Sequence, residues 1–275
     1  MKNNNKTHLI EPLQDKNFDN IADKFQRNIY QGLKGKIRLR VLDEDIQEYV
    51  FRDNNQAMSI LDAGAGSGQY AAHLAAQGHQ MVLADISQNM LDLAKSNFVT
   101  AGHELTAHQF LNLPVQELHK YLSKPYQLVL FHAVLEWLVD PEPTLKQVLD
   151  MVADGGYCSL MFFNRNSLIM QHVIFGNLKI LEKDHIRGLG KKTLTPTNPL
   201  EPEQVYAWLE KAGMKILVKT GVRVIHDYSP KDRLADYPEN YLKLEQQYCR
   251  KEPFLSLGRY IHLICQKVKS CCEAD

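Results

Sequence analysis

Gly64, Gly66 and Gly68 stand at alternate positions in Ile60-Leu61-Asp62-Ala63-Gly64-Ala65-Gly66-Ser67-Gly68-Gln69. The apolar run before them, Ala57 to Asp62, reads as a strand, and Gln69 to Gln77 after them as a helix. Glycines there permit a tight turn and let a ligand approach the backbone with no Cβ in the way, beside the carboxyl end of the strand. An ordinary strand-to-helix turn needs fewer. The spacing is GxGxG and not the GxGxxG of a dinucleotide fingerprint, which argues against a nicotinamide cofactor. Asp85 ends the next strand, Gln80 to Asp85, where a carboxylate can accept hydrogen bonds from both hydroxyls of a ribose. Its alternative role is to cap the helix that begins near Ser87.

The alternation continues along the chain. A helix from Asn89 to about Gly102 precedes a weak strand, Thr106 to Phe110, a short helix, Pro114 to Leu122, and a strand, Gln127 to Phe131. Pro143 to Ala153 is a helix stopped by Gly155-Gly156, and Tyr157 to Phe163 is a strand apolar enough to be covered on both faces. This rhythm implies an α/β fold, a mostly parallel sheet with helices on both sides. Residues 164–200 interrupt it and read as a basic insertion. A helix, Pro202 to Ala212, a strand, Lys215 to Val224, a helix, Pro238 to Arg250, and a strand, Gly258 to Lys267, close the chain. The two late strands can pair antiparallel at a sheet edge. Upstream of the glycines, residues 1–17 form a polar, flexible arm, and 18–51 a helical cover of two helices jointed at Gly32 and Gly35. Residues 18–275 are thus expected to form one domain.

Composition narrows the function classes. The 275 residues carry 32 Lys plus Arg against 32 Asp plus Glu, so no global field draws the chain to nucleic acid, and a polyanion must be met by a local patch. At 44% apolar and 23% charged it is neither disordered nor fibrous. It lacks a run of roughly 18 apolar residues, and Met1 to Lys6 is polar, so a cytoplasmic protein without membrane contact is expected. Cys158, Cys249, Cys265, Cys271 and Cys272 form no CxxC pair, which argues against a metal site or a disulfide framework.

Asp62 to Gly68 with Asp85 resembles the S-adenosylmethionine site of Rossmann-like class I methyltransferases, a family whose seven-stranded sheet carries its last strand inserted antiparallel. Asn17-Phe18-Asp19, Arg27-Asn28-Ile29-Tyr30, Lys34-Gly35, Phe131 to Trp137, Thr220 to Val224, His226-Asp227-Tyr228 and Tyr248 to His262 are similar to one branch of it. That branch methylates the carboxyl group of 5-carboxymethoxyuridine at wobble position 34 of tRNA, giving 5-methoxycarbonylmethoxyuridine. The similarity covers nearly all of residues 14–268. It implies S-adenosylmethionine as cofactor, the tRNA anticodon loop as partner, and cofactor contacts from Arg38, Gly64, Ala65, Asp85, Val115, Gln116 and His132. Ala65 stands where a relative can carry glycine, adding one methyl group near the cofactor.

These residue types suit such roles: Arg38 can pair with the cofactor's carboxylate, Asp85 with its ribose and Gln116 with the adenine edge. His132 follows a strand and so belongs at the ligand-binding end of the sheet; a structural histidine is the alternative. It is placed in the pocket and not as a base, because a carboxylate acceptor is already ionised at neutral pH and no general base is required. Arg223 and Arg259 are the candidates for orienting that carboxylate. Arg187, Lys191, Lys192, Arg223, Arg250 and Arg259 are the candidate tRNA contacts. Two other functions fit the same sequence: methylation of a small carboxylic acid or quinone-like metabolite, and a non-catalytic module that binds the cofactor and RNA.

Overall fold

The computed structural model describes residues 32–54, 56–183, 196–230 and 236–269, together with Asp15, Asn17, Asp19, Ile186, Arg233 and Leu234. Its centre is a seven-stranded sheet: β1 (Ser59–Ala63), β2 (Gln80–Asp85), β3 (Gln109–Asn112), β4 (Tyr126–His132), β5 (Val152–Phe163), β6 (Met214–Val222) and β7 (Tyr260–Lys267). The strand order is β3-β2-β1-β4-β5-β7-β6. The first five pair in parallel, and β7 lies antiparallel to both β5 and β6. The late antiparallel pair thus closes one edge, with β7 slotted inside β6.

Central strands are buried on both faces, so their side chains divide between two apolar layers. Leu61, Val129, Phe131 and Leu160 point to one, where Leu145, Val148, Val205 and Leu209 cover them. Those four come from α4 (Pro141–Asp150) and α6 (Pro202–Lys211), each opened by a proline whose missing N–H has no helical partner to lose. Ile60, Leu128 and Leu130 point the other way, against α2 (Gln69–Ala75) and α3 (Gln88–Thr100) through Ala71, Leu74, Leu91 and Phe98. Ser87 caps α3 by accepting from the Met90 N–H.

Two expectations change. Gly35 was read as part of a helix joint, but α1 (Leu33–Ile46) runs through it, buried, into a wider turn at Gln47–Phe51, and only Gly32, at φ 83°, lies outside as the N-terminal flank. The first of the two expected helices lies outside the described residues, as does most of the arm. Gly155-Gly156 does not stop a helix: the helix ends at Asp150, and both glycines lie inside β5. The pairing of β4 with β5 shifts register beside them, and a Cβ on Gly156 would meet the Ala153 carbonyl at 2.8 Å. The insertion contains regular structure, α5 (Arg165–Ile174) and a helical turn, Leu178–Glu182. Asn164 pins its base, bridging to Leu200 and donating to the Ser256 and Gly258 carbonyls. Among the described residues no helix is long and apolar enough to cross a membrane. A last helix, α7 (Pro238–Tyr248), packs near α1.

Candidate active site

The glycine turn closes on β2. The N–H groups of Gly64 and Ala65 both donate to the Ala84 carbonyl, at 2.8 and 2.9 Å, and Gly66 N–H donates to Asp85 Oδ2 at 2.8 Å. Gly64, Gly66 and Gly68 sit at φ 80°, 54° and 62°, a region side chains avoid. At Gly64 space is also closed, since a Cβ would stand 2.4 Å from Val134 Cγ2. Asp85 serves the turn and the next helix together: its Oδ1 accepts from the Ser87 N–H at 2.8 Å, while Ser87 itself caps the helix. Burial pushes its carboxyl up. Asp62, below the turn, is pushed up to about 7 by burial and by Asp85.

A cleft of about 940 Å³, counted out to its open mouth, lies at the carboxyl ends of β1, β2 and β4. Arg38, Gly64, Asp85, Val115, Gln116 and His132 all line it. These are six of the seven residues expected to contact the cofactor. Ala65 belongs to the buried apolar layer beneath the turn, because alternate residues of the turn face opposite ways, so its extra methyl meets protein.

Arg38 reaches the cleft from α1 and is 5% exposed. Its guanidinium lies 4.7 Å from the centre of the Tyr260 ring, and its Nε has no hydrogen-bond partner. A buried cation with an unfilled donor is suited to an anion. His132 Nε2 and Ser159 Oγ are 2.7 Å apart; burial, with the Arg38 cation nearby, holds the ring well below its ordinary value, hence neutral. Glu136, buried beside Trp137, is pushed up to about 7 by desolvation and has an unpartnered Oε2. The residue after His132, Ala133, has φ 58°, local strain of the kind that collects at sites.

Sequence reasoning missed Asp15. From the supposed free arm it accepts from Gln116 Nε2 at 2.6 Å and from the Val139 N–H at 2.8 Å, and it lines the cleft. Asp19 likewise accepts from Ser87 Oγ at 2.5 Å. An acid in a polar segment has no periodicity to betray it; only the Asn17-Phe18-Asp19 motif hinted at docking. Tyr70 and Met161, on the cleft wall, look like core residues in a sequence.

The proposed substrate cations are differently placed. Arg223, at φ 63° just past β6, is buried, and its Nη2 donates to Asp227 Oδ2 at 2.5 Å. Asp227 also takes His226 Nδ1 at 2.9 Å and lies 3.5 Å from Arg259 Nε. Burial works against that carboxylate, but the two guanidinium groups and His226 hold it far below its ordinary range. Arg259 also donates to Gln171 and is partly exposed. Arg250 is engaged by Asp45 Oδ1 at 2.6 Å, with Glu44 at 3.7 Å. Arg187, Lys191 and Lys192 lie outside the described residues. Among the described residues no group of three or more His, Cys, Asp or Glu side chains could hold a metal ion.

The cleft suits S-adenosylmethionine: the unfilled Arg38 donor matches a carboxylate, Asp85 a ribose diol, and the wall at Ile86, Val115 and Leu138 an adenine ring. A family profile described as a methyltransferase domain matches residues 34–218. The chain is 43% identical over 262 residues to the tRNA 5-carboxymethoxyuridine methyltransferase of Escherichia coli K12, covering 94% of this chain and 98% of that protein. It is 24% identical over 218 residues to the ubiquinone biosynthesis O-methyltransferase of Acinetobacter baylyi, covering 78% and 86%. Among solved structures, the magnesium protoporphyrin IX methyltransferase of Synechocystis with bound SAH shares the fold at TM-score 0.61 and 15% identity, covering 91% of this chain and 95% of that one. With the glycine turn, the inserted antiparallel strand and this full-length match together, the chain belongs to the tRNA 5-carboxymethoxyuridine methyltransferase family of class I S-adenosylmethionine-dependent methyltransferases.

Proposed function

We propose that this chain methylates the carboxylate of 5-carboxymethoxyuridine at position 34 of tRNA, in the cytoplasm, with S-adenosylmethionine held in the cleft and the anticodon loop presented over β5, β7 and β6. The observation that carries the site assignment is the buried Arg38, whose Nε has no partner, lining the same cleft as the glycine turn and Asp85. Bound there, the cofactor supplies an electrophilic methyl group on a sulfonium.

The protein's own part is alignment. Neither His132, kept neutral by burial, nor any other group must take a proton from an acceptor that is already a carboxylate. Positive donor and negative acceptor lose their charges together as the methyl moves, so a strong fixed charge on either would slow the step; orientation and exclusion of water can supply several kcal/mol. One cation is enough to aim the acceptor. Arg223, Arg259 and Asp227 form a cluster with one more positive than negative charge. Arg223 is committed to Asp227 at 2.5 Å, which leaves Arg259, farther from it and partly exposed, to meet the carboxylate. Lys36 and Lys243 line a groove that shares Leu39 and Tyr70 with the cleft and offers a path for backbone phosphates.

The test is incubation with cofactor and tRNA bearing the free acid, digestion to nucleosides and mass spectrometry. A gain of one methylene at that uridine, removed by alkali, supports the reading. Turnover of a small carboxylic acid with no salt-dependent binding of tRNA would replace it with the metabolite reading, and cofactor binding without turnover with the non-catalytic one.

A further inference from the structure

Beneath the cleft, a line of buried polar groups crosses the sheet. Arg250 Nη2 donates to Asp45 Oδ1 at 2.6 Å. Asp45 Oδ2 is 2.7 Å from His262 Nδ1, His262 Nε2 is 2.8 Å from Ser159 Oγ, and Ser159 Oγ is 2.7 Å from His132 Nε2. Asp45, Ser159 and His262 are fully buried. They come from α1, β5 and β7, and the line ends on β4 at the cleft wall. The sheet does not need it: β5 and β7 already pair through their backbones, and apolar side chains at these positions would avoid the desolvation cost of such groups.

The wiring follows from counting protons. Burial pushes the Asp45 carboxyl up, but His262 and Arg250 more than offset this and leave it below its ordinary value. As a carboxylate it can only accept, so His262 carries a proton on Nδ1. A second proton on His262 would set three cations, Arg40, Arg250 and His262, on two carboxylates, Asp45 and Glu44, the latter 2.8 Å from Arg40 and 3.7 Å from Arg250. A neutral His262 therefore accepts at Nε2 from the Ser159 hydroxyl. The one hydroxyl proton being spent, the Ser159 oxygen must accept from His132, which puts the His132 proton on Nε2. His132 Nδ1 is then bare, and it makes no hydrogen bond among the described residues.

We propose that Asp45, His262 and Ser159 are positioning residues that hold His132 as its Nε2–H tautomer, offering the Nδ1 lone pair to the cleft and so favouring a cationic sulfonium donor over the neutral thioether product. The inference rests on the reading that the cofactor occupies this cleft. A lone pair attracts a sulfonium and is indifferent to a thioether, whereas the other tautomer would turn an N–H dipole toward the positive sulfur. The relay thereby selects donor and eases product exchange, a role distinct from proton transfer.

The test uses the full chain. Nitrogen-15 NMR of the ligand-free protein, with His132 assigned against His132→Gln, should show a protonated Nε2 and a bare Nδ1. Calorimetry with S-adenosylmethionine and S-adenosylhomocysteine should then show that Ser159→Ala lowers the preference for the former by about tenfold, the scale of one charge-assisted contact. An Nδ1–H tautomer in the wild type overturns the proposal, and this measurement stands even if Ser159→Ala does not fold. An unchanged ratio of the two affinities in a folded Ser159→Ala overturns it as well. If the wild type binds neither nucleoside, the assignment of the cleft fails first, and the tautomer result separates the two failures.

Discussion

The two halves of the sheet treat their charged residues in opposite ways. At the cleft over the ends of β1, β2 and β4, Arg38, held from α1 against Tyr260, keeps an unpartnered Nε, and Asp85 keeps its carboxylate on the wall, tied among the described residues to backbone N–H groups. On the β5–β7–β6 side, Arg223, Asp227 and Arg259 lean on one another, and Arg250 is taken by Asp45. One side is built to receive a ligand of fixed shape. The other is braced internally, its cations answered by Asp227 and Asp45.

Substitutions on the two sides should separate stability from binding. The largest effect belongs to the braced side. Asp227→Asn leaves the buried Arg223 and the partly exposed Arg259 short of their shared carboxylate and should cost about 3–5 kcal/mol of stability, seen as a large fall in Tm, while cofactor affinity of the folded fraction stays near wild type. Because the folded carboxyl is held below its ordinary range, its contribution is present above the unfolded value and is lost as pH falls through the folded one; acid should therefore hurt the wild type more than the variant. Next, Gly64→Ala forces a Cβ toward Val134 at 2.4 Å and a side chain into φ 80°. A cost of about 3 kcal/mol in cofactor binding, roughly a hundredfold in Kd by calorimetry, is expected; an unchanged Kd would remove the turn from the site.

Smaller effects refine the picture. Arg259→Gln should lower kcat/KM for tRNA about thirtyfold, near 2 kcal/mol, with the cofactor Kd unchanged; if Arg223→Gln alone did this in a protein of intact Tm, the two arginines would exchange roles. Glu136 keeps its proton to about 7 against an ordinary 4.5. Its stabilising share is complete below the unfolded value and is lost as pH rises through the folded one. Between about pH 5.5 and 8 the wild type should lose about 2 kcal/mol that Glu136→Gln retains, measurable as a difference in Tm between the two at the higher pH.

Local features account for what could be read in advance. The glycine turn, the alternating elements, Asp85 at a strand end and His132 just beyond apolar residues all depend on neighbours in the chain, and they appear in the structure within a few residues of expectation. Where local signals misled, a longer-range contact had overridden them. Gly35 sits in a helix, buried against the body of the protein, and Gly156 serves a close approach to the backbone of β4 that no stop signal could distinguish. The family motifs pointed to Arg223 and Arg259 but could not say which was spent on Asp227.

Backbone preference and hydrophobic period are written residue by residue, so the α/β order, the glycine turn and Asp85 at the next strand's end were legible without coordinates. Partnership between charges was not. Asp45 meets His262 and Arg250 across more than 200 positions of chain, Asp15 meets Gln116 across 101, and such pairs exist only once packing has removed water and brought distant segments within hydrogen-bond reach. That removal of solvent is what makes each pairing decisive, and it happens only in the folded protein.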